Sequence, residues 1–78
     1  MIWNIMICDE NEQYMFISYS QDDDLDGVMR YDKKTQELKI IKNSHDCDEY
    51  DQSRAKYFVL LAIDKNVLTK EKCRIVTG

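Results

Sequence analysis

Proline is absent and glycine occurs only twice, at Gly27 and Gly78. Chain reversals therefore fall to Asp, Asn and Ser, whose short polar side chains bond nearby backbone groups. No apolar run approaches the roughly 20 residues of a membrane-spanning helix. The longest is the seven-residue segment Tyr57-Phe58-Val59-Leu60-Leu61-Ala62-Ile63. The opening Met1-Ile2-Trp3 lacks the positive region of a secretory leader, and acids follow at Asp9-Glu10. The three cysteines, Cys8, Cys47 and Cys73, are odd in number and form no C-x-x-C pair. Reduced thiols in a cytoplasmic protein are the expectation, rather than a disulfide framework. There is one histidine and no glycine-rich phosphate loop. With no convergent acid–base pair legible and little room for a substrate pocket, the chain is expected not to be an enzyme.

What is present is a chain of 78 residues, 44% hydrophobic and 33% charged. That balance suits a single folded domain over residues 1–78 and excludes a disordered or low-complexity segment. The net charge of −4 is unevenly placed. Residues 1–32 carry eight acids against Arg30 alone, which leaves the remainder net basic. Phosphate contacts require Lys and Arg, so the N-terminal half is not expected to bind nucleic acid. A basic protein surface is the better complement.

Residues 2–8 are rich in large apolar and β-branched types and end at the turn cluster Asp9-Glu10-Asn11-Glu12. Residues 14–19 follow as a second strand, pairing with the first as a hairpin. The acidic segment Asp22 to Gly27 reads as a loop whose Asp-Gly pair marks a tight turn. Residues 28–31 and 38–41 form a second expected hairpin. Asp32 opens its loop, where a carboxylate can bond backbone amides two or three residues on.

A helix is expected from about Glu49 to Asn66. Asp46, Asp48, Glu49 and Asp51 crowd its positive end, and Asp46-x-x-Glu49 has capping-box spacing. Asn66 suits a left-handed C′ position. Residues 72–76 close the fold as a strand. The class is α+β: a small, mainly antiparallel sheet of four to five strands with one helix packed on one face, in the order ββββαβ.

Several strands place apolar residues on both sides. Trp3, Ile5 and Ile7 oppose Ile2, Met6 and Cys8, and Tyr14 and Phe16 oppose Met15, Ile17 and Tyr19. A solvated sheet face shows clean alternation instead. One helix covers one face, so a homodimer or a protein partner is expected on the other. The helix has a broad apolar sector through Tyr50, Tyr57, Phe58, Leu61 and Ala62, widened by Val59, Leu60 and Ile63, as suits burial on more than one side.

The sharpest motif is Asp22-x-Asp24-x-Asp26-Gly27, which resembles the first six positions of an EF-hand calcium loop. The twelfth position, where that loop has a bidentate Glu, holds Lys33, and the flanks read as strands. The plainer reading, which outweighs it, is an acidic strand connection whose Asp-Gly pair makes the turn. His45-Asp46-Cys47 brings together a potential ligand and a thiol, but two residues at this spacing make no zinc site alone.

The expected function is that of a small acidic protein-interaction module of bacterial or phage type, needing no cofactor, binding no membrane, and recognising another protein or a second copy of itself. Small acidic immunity proteins and phage inhibitors are an analogy of size and charge. Its candidate contact residues are Asp22, Asp23, Asp24, Asp26, Asp46, Asp48, Glu49, Asp51 and Trp3. The alternatives are a divalent-cation site at Asp22, Asp24 and Asp26, and a purely structural homodimer.

Overall fold

The computed structural model describes residues 2–45 and 47–76. Five strands, β1 (Ile2–Glu10), β2 (Tyr14–Ser20), β3 (Gly27–Asp32), β4 (Glu37–Lys42) and β5 (Cys73–Val76), flank one helix, α1 (Glu49–Asp64), which lies between β4 and β5 in the chain. They build one sheet in the order β4-β3-β2-β1-β5, and every neighbouring pair is antiparallel. The α+β architecture is therefore the one its sequence pattern implies. The helix carries the chain from the β4 edge across the sheet to the opposite edge, where β5 pairs with β1.

Alternation selects the inward set. Trp3, Ile5, Ile7, Ile17, Tyr19, Met29 and Leu38 are buried against Ala55, Val59 and Ala62 of α1 and against Leu68. Burying each large side chain of this kind is worth about 1.5–3 kcal/mol. Trp3 and Tyr19 are the largest fully buried side chains, with ring centroids 6.1 Å apart. Trp3 is thus a core residue and offers no surface to a partner.

The opposite face is mixed rather than apolar. Across it Met6 pairs with Ser18 and Ser18 with Val28, while Phe16 pairs with Arg30 and Arg30 with Lys39. The Arg30 guanidinium lies 4.8 Å from the Tyr14 ring centroid. At one end, Asn4 and Ser20 are buried because the β2–β3 loop folds over them: both donate to the Asp22 carbonyl, at 2.6 Å and 2.5 Å. The two-sided apolar pattern of β1 and β2 is thus met in part by polar cross-strand neighbours and by a loop, while Ile2 pairs with Val76 on the same face and both stay exposed.

The ends of α1 are closed by side-chain and backbone chemistry. Asp48 is the N-cap: its Oδ1 accepts from the Asp51 amide at 2.9 Å, and Asp51 Oδ2 accepts from the Asp48 amide at 3.4 Å. The capping box is therefore Asp48/Asp51 rather than Asp46/Glu49. Asp46 lies outside the described residues. At the C-terminus Asn66 takes φ 58°. The Asn66 amide donates to Ile63 and the Val67 amide to Ala62, at 3.1 Å and 3.0 Å, which is the paired Schellman arrangement.

Candidate functional site

The acidic loop between β2 and β3 is built by hydrogen bonds before it is a site. Ser20 Oγ, besides donating to the Asp22 carbonyl, accepts from the Leu25 amide at 3.0 Å. Asp22 Oδ1 accepts from the Asp24 amide at 2.9 Å. The residue that turns with positive φ is Leu25, at 51°, and not the glycine of the Asp-Gly pair. Gly27 serves a different purpose. A Cβ there would lie 2.6 Å from Tyr19 Cζ and 2.9 Å from the Ser44 amide nitrogen, so the strand approaches the Tyr19 ring only without a side chain.

The loop is closed from the far end of the second hairpin. Val28 pairs with Lys42, so the residues just outside the ladder, Asp26 and Ser44, face each other. Ser44 Oγ donates to Asp26 Oδ1 at 2.7 Å, and the His45 amide donates to Asp26 Oδ2 at 3.2 Å. The His45 ring then lies among the acids. Its Nδ1 is 2.6 Å from Asp26 Oδ2, its Nε2 is 2.7 Å from Asp22 Oδ2, and Asp24 Oδ2 stands 4.0 Å from Nε2. Carboxylates only accept, so an imidazolium donating from both nitrogens satisfies Asp22 and Asp26 together. The Ser44 hydroxyl, followed by the His45 ring, holds the Asp26 carboxyl far below the usual carboxylate range.

Donor atoms of Asp22, Asp24 and His45 all lie within 4.8 Å of one another. The structure therefore gathers two members of the Asp22, Asp24 and Asp26 motif around His45, while Asp26 holds the other side of the ring. Asp23 faces elsewhere, paired with Lys72 at 3.0 Å, which lowers its pKa. Nothing near His45 in sequence marks this grouping, since its acids lie 19–23 residues earlier. Only the register of β3 on β4 reveals it. His45 and Cys47 each make contacts of their own, and Asn43 Nδ2 donates to the Cys47 carbonyl at 2.8 Å.

A second surface lies on α1. Ala55 and Ala62, seven apart, face the core with Val59. Tyr50 and Tyr57, also seven apart, point the other way and are 63% and 57% exposed, with Leu60 beside them at 40%. The Arg54 guanidinium rests 5.9 Å from the Tyr50 centroid and 5.2 Å from that of Phe58, and Tyr57 meets Phe58 edge-on. Asp48 and Glu49 are exposed at the start of the same helix, and Asp51 is half-buried. The breadth of the helix's apolar sector thus marks an exposed aromatic stripe, not burial on two sides within the chain.

The surface forms no pocket among the described residues, and no helix among them is long and apolar enough to cross a membrane. Compared with known protein families, with curated proteins and with solved structures, the chain matches none.

Proposed function

We propose that this chain is a non-enzymatic interaction module that docks another protein through the outer face of α1. The observation carrying this reading is the exposed pair Tyr50 and Tyr57 on the helix, flanked by Leu60. Tyrosine supplies large contact area at low conformational cost and is enriched among residues that dominate binding energy. Asp48 and Glu49, within a turn of Tyr50, add a negative rim, so the partner has an apolar groove bordered by Lys or Arg. Two copies of this chain, each at −4, repel one another before they meet, which favours a different protein over a homodimer.

The test begins with light scattering over a concentration series, in which a monomer near 9.3 kDa is expected. A photo-crosslinking residue at position 57 then captures the partner, and the purified pair is titrated. Tyr50→Ala/Tyr57→Ala weakens binding at least about tenfold while leaving the melting temperature close to that of the parent, because hot-spot truncations cost about 2 kcal/mol or more and exposed positions contribute little to folding. A partner bound equally well by the double variant removes the reading. A stable dimer abolished by the same substitutions assigns the stripe to self-association instead.

A further inference from the structure

Independently of that docking face, we propose that Asp22, Asp24 and His45 bind a divalent first-row transition ion, with Asp26 as the residue that positions the imidazole. The argument rests on donor type and on orientation. An all-oxygen set would suit calcium, but an imidazole nitrogen beside two carboxylates suits ions such as Zn²⁺, Co²⁺ or Mn²⁺. A metal-ligating histidine characteristically donates its second ring N–H to a carboxylate, which fixes the tautomer and the ring plane. Here Nδ1 lies 2.6 Å from Asp26 Oδ2, and Asp26 is itself anchored by the Ser44 hydroxyl. That arrangement turns Nε2 toward Asp22 and Asp24.

The spacing is close to what an ion requires. With metal–donor bonds of about 2.1 Å, neighbouring donors in a tetrahedral site stand about 3.4 Å apart. The observed separations from Nε2, 2.7 Å to Asp22 Oδ2 and 4.0 Å to Asp24 Oδ2, bracket that value. Binding replaces the Nε2 proton by the ion, and the proton leaves to solvent. Among the described residues, Asp22, Asp24 and Asp26 face the ring, and all three favour a cation there. Three protein ligands leave the remaining positions to water, which makes the site open rather than closed.

Co²⁺ alone is the probe. His45 is the only histidine in the chain, so its ring resonances are unambiguous. Addition of Co²⁺ is expected to shift them paramagnetically and to raise the melting temperature in a saturable way that Zn²⁺ competes and Ca²⁺ does not reproduce. Asp24→Asn tests the ligand set with little risk to folding, since this side chain is largely exposed and its sole described contact is the 4.0 Å approach to His45. Affinity falls at least about tenfold in Asp24→Asn and in His45→Gln, and about 10- to 100-fold in Asp26→Asn, as for other outer-shell partners. Three results overturn the proposal. One is an unshifted His45 ring at saturating Co²⁺. Another is a thiolate-to-cobalt absorption band without that shift, which puts the ion on the cysteines. The last is equal affinity in Asp24→Asn.

Discussion

Gly27→Ala separates close approach from backbone freedom. Gly27 does not take a positive φ, so alanine is compatible with its backbone. An unhindered Gly→Ala replacement of that kind stabilises by about 0.4–1 kcal/mol through the unfolded chain. Here the added methyl meets Tyr19 Cζ at 2.6 Å and the Ser44 amide nitrogen at 2.9 Å. Tyr19 has no exposed surface and nowhere to go. Its hydroxyl also donates to Asn43 Oδ1 at 3.0 Å and accepts from the Ser44 amide at 3.3 Å. Overpacking a filled core costs about 1–3 kcal/mol, and each hydrogen bond lost as the ring tilts costs about 1 kcal/mol more.

The expected destabilisation is therefore about 2–4 kcal/mol. For a domain of this size that lowers the melting temperature by roughly 10–25 °C. Urea titrations of the parent, Gly27→Ala, Tyr19→Leu and the double variant supply the decisive cycle. Tyr19→Leu removes the ring atoms that the methyl strikes, so Gly27→Ala should cost at least about 1 kcal/mol less in that background. A Gly27→Ala chain within about 0.5 kcal/mol of the parent, or strictly additive effects in the double variant, would refute the steric account.

Two further predictions test the loop and the helix end. The Asp26 carboxyl is held below its ordinary 3.8 by the Ser44 hydroxyl and the His45 ring, so it contributes stability that is fully present above that value. The contribution is lost as pH falls from 3.8 toward the folded-state pKa. Asp26→Asn should lie below the parent in denaturant midpoint at neutral pH and converge on it in acid, and a constant gap down to the acid limit would count against the assignment. At the helix C-terminus, Asn66→Ala should cost about 1 kcal/mol because φ 58° forces its Cβ into the left-handed region, whereas Asn66→Gly should be neutral or slightly stabilising. Thermal melts showing the two variants equal would mean that the Schellman geometry does not limit stability.

Much of this fold is legible in local chemistry. Each strand core, the Asp32 loop and the Asn66 terminus follow from residues within a few positions of one another. Asp32 Oδ1 accepts from the amides of Lys34 and Thr35, as its place after an apolar strand implies. The helix start is harder because Asp46/Glu49 and Asp48/Asp51 both have the required spacing. The box that forms is Asp48/Asp51, on a helix that turns Ala55, Val59 and Ala62 to the sheet. The cap follows from packing, which the spacing of acids alone does not encode. Likewise, an aromatic seven residues from another reads the same whether it faces a core or solvent. Small Ala55 and Ala62 let the helix approach the sheet, and that choice turns Tyr50 and Tyr57 outward.

The site around His45 depends on a single irregularity. From Met29–Ile40 to Asp32–Glu37 the second hairpin keeps one register, and between Met29 and Val28 it shifts by one residue, so that Val28 faces Lys42 and Ile41 is extra. Continued without that bulge, the ladder would set Asn43 opposite Asp26. With it, Ser44 stands there, its hydroxyl reaches the carboxylate, and the next residue, His45, reaches the acids of the preceding loop. A one-residue slip moves every side chain to the other face of a strand, so the bulge decides whether imidazole or solvent meets the loop. Hairpin pairing can be read from alternation, but alternation is blind to an inserted residue at the strand end. The acids and the histidine are each visible in the sequence, and their meeting is a property of Ile41.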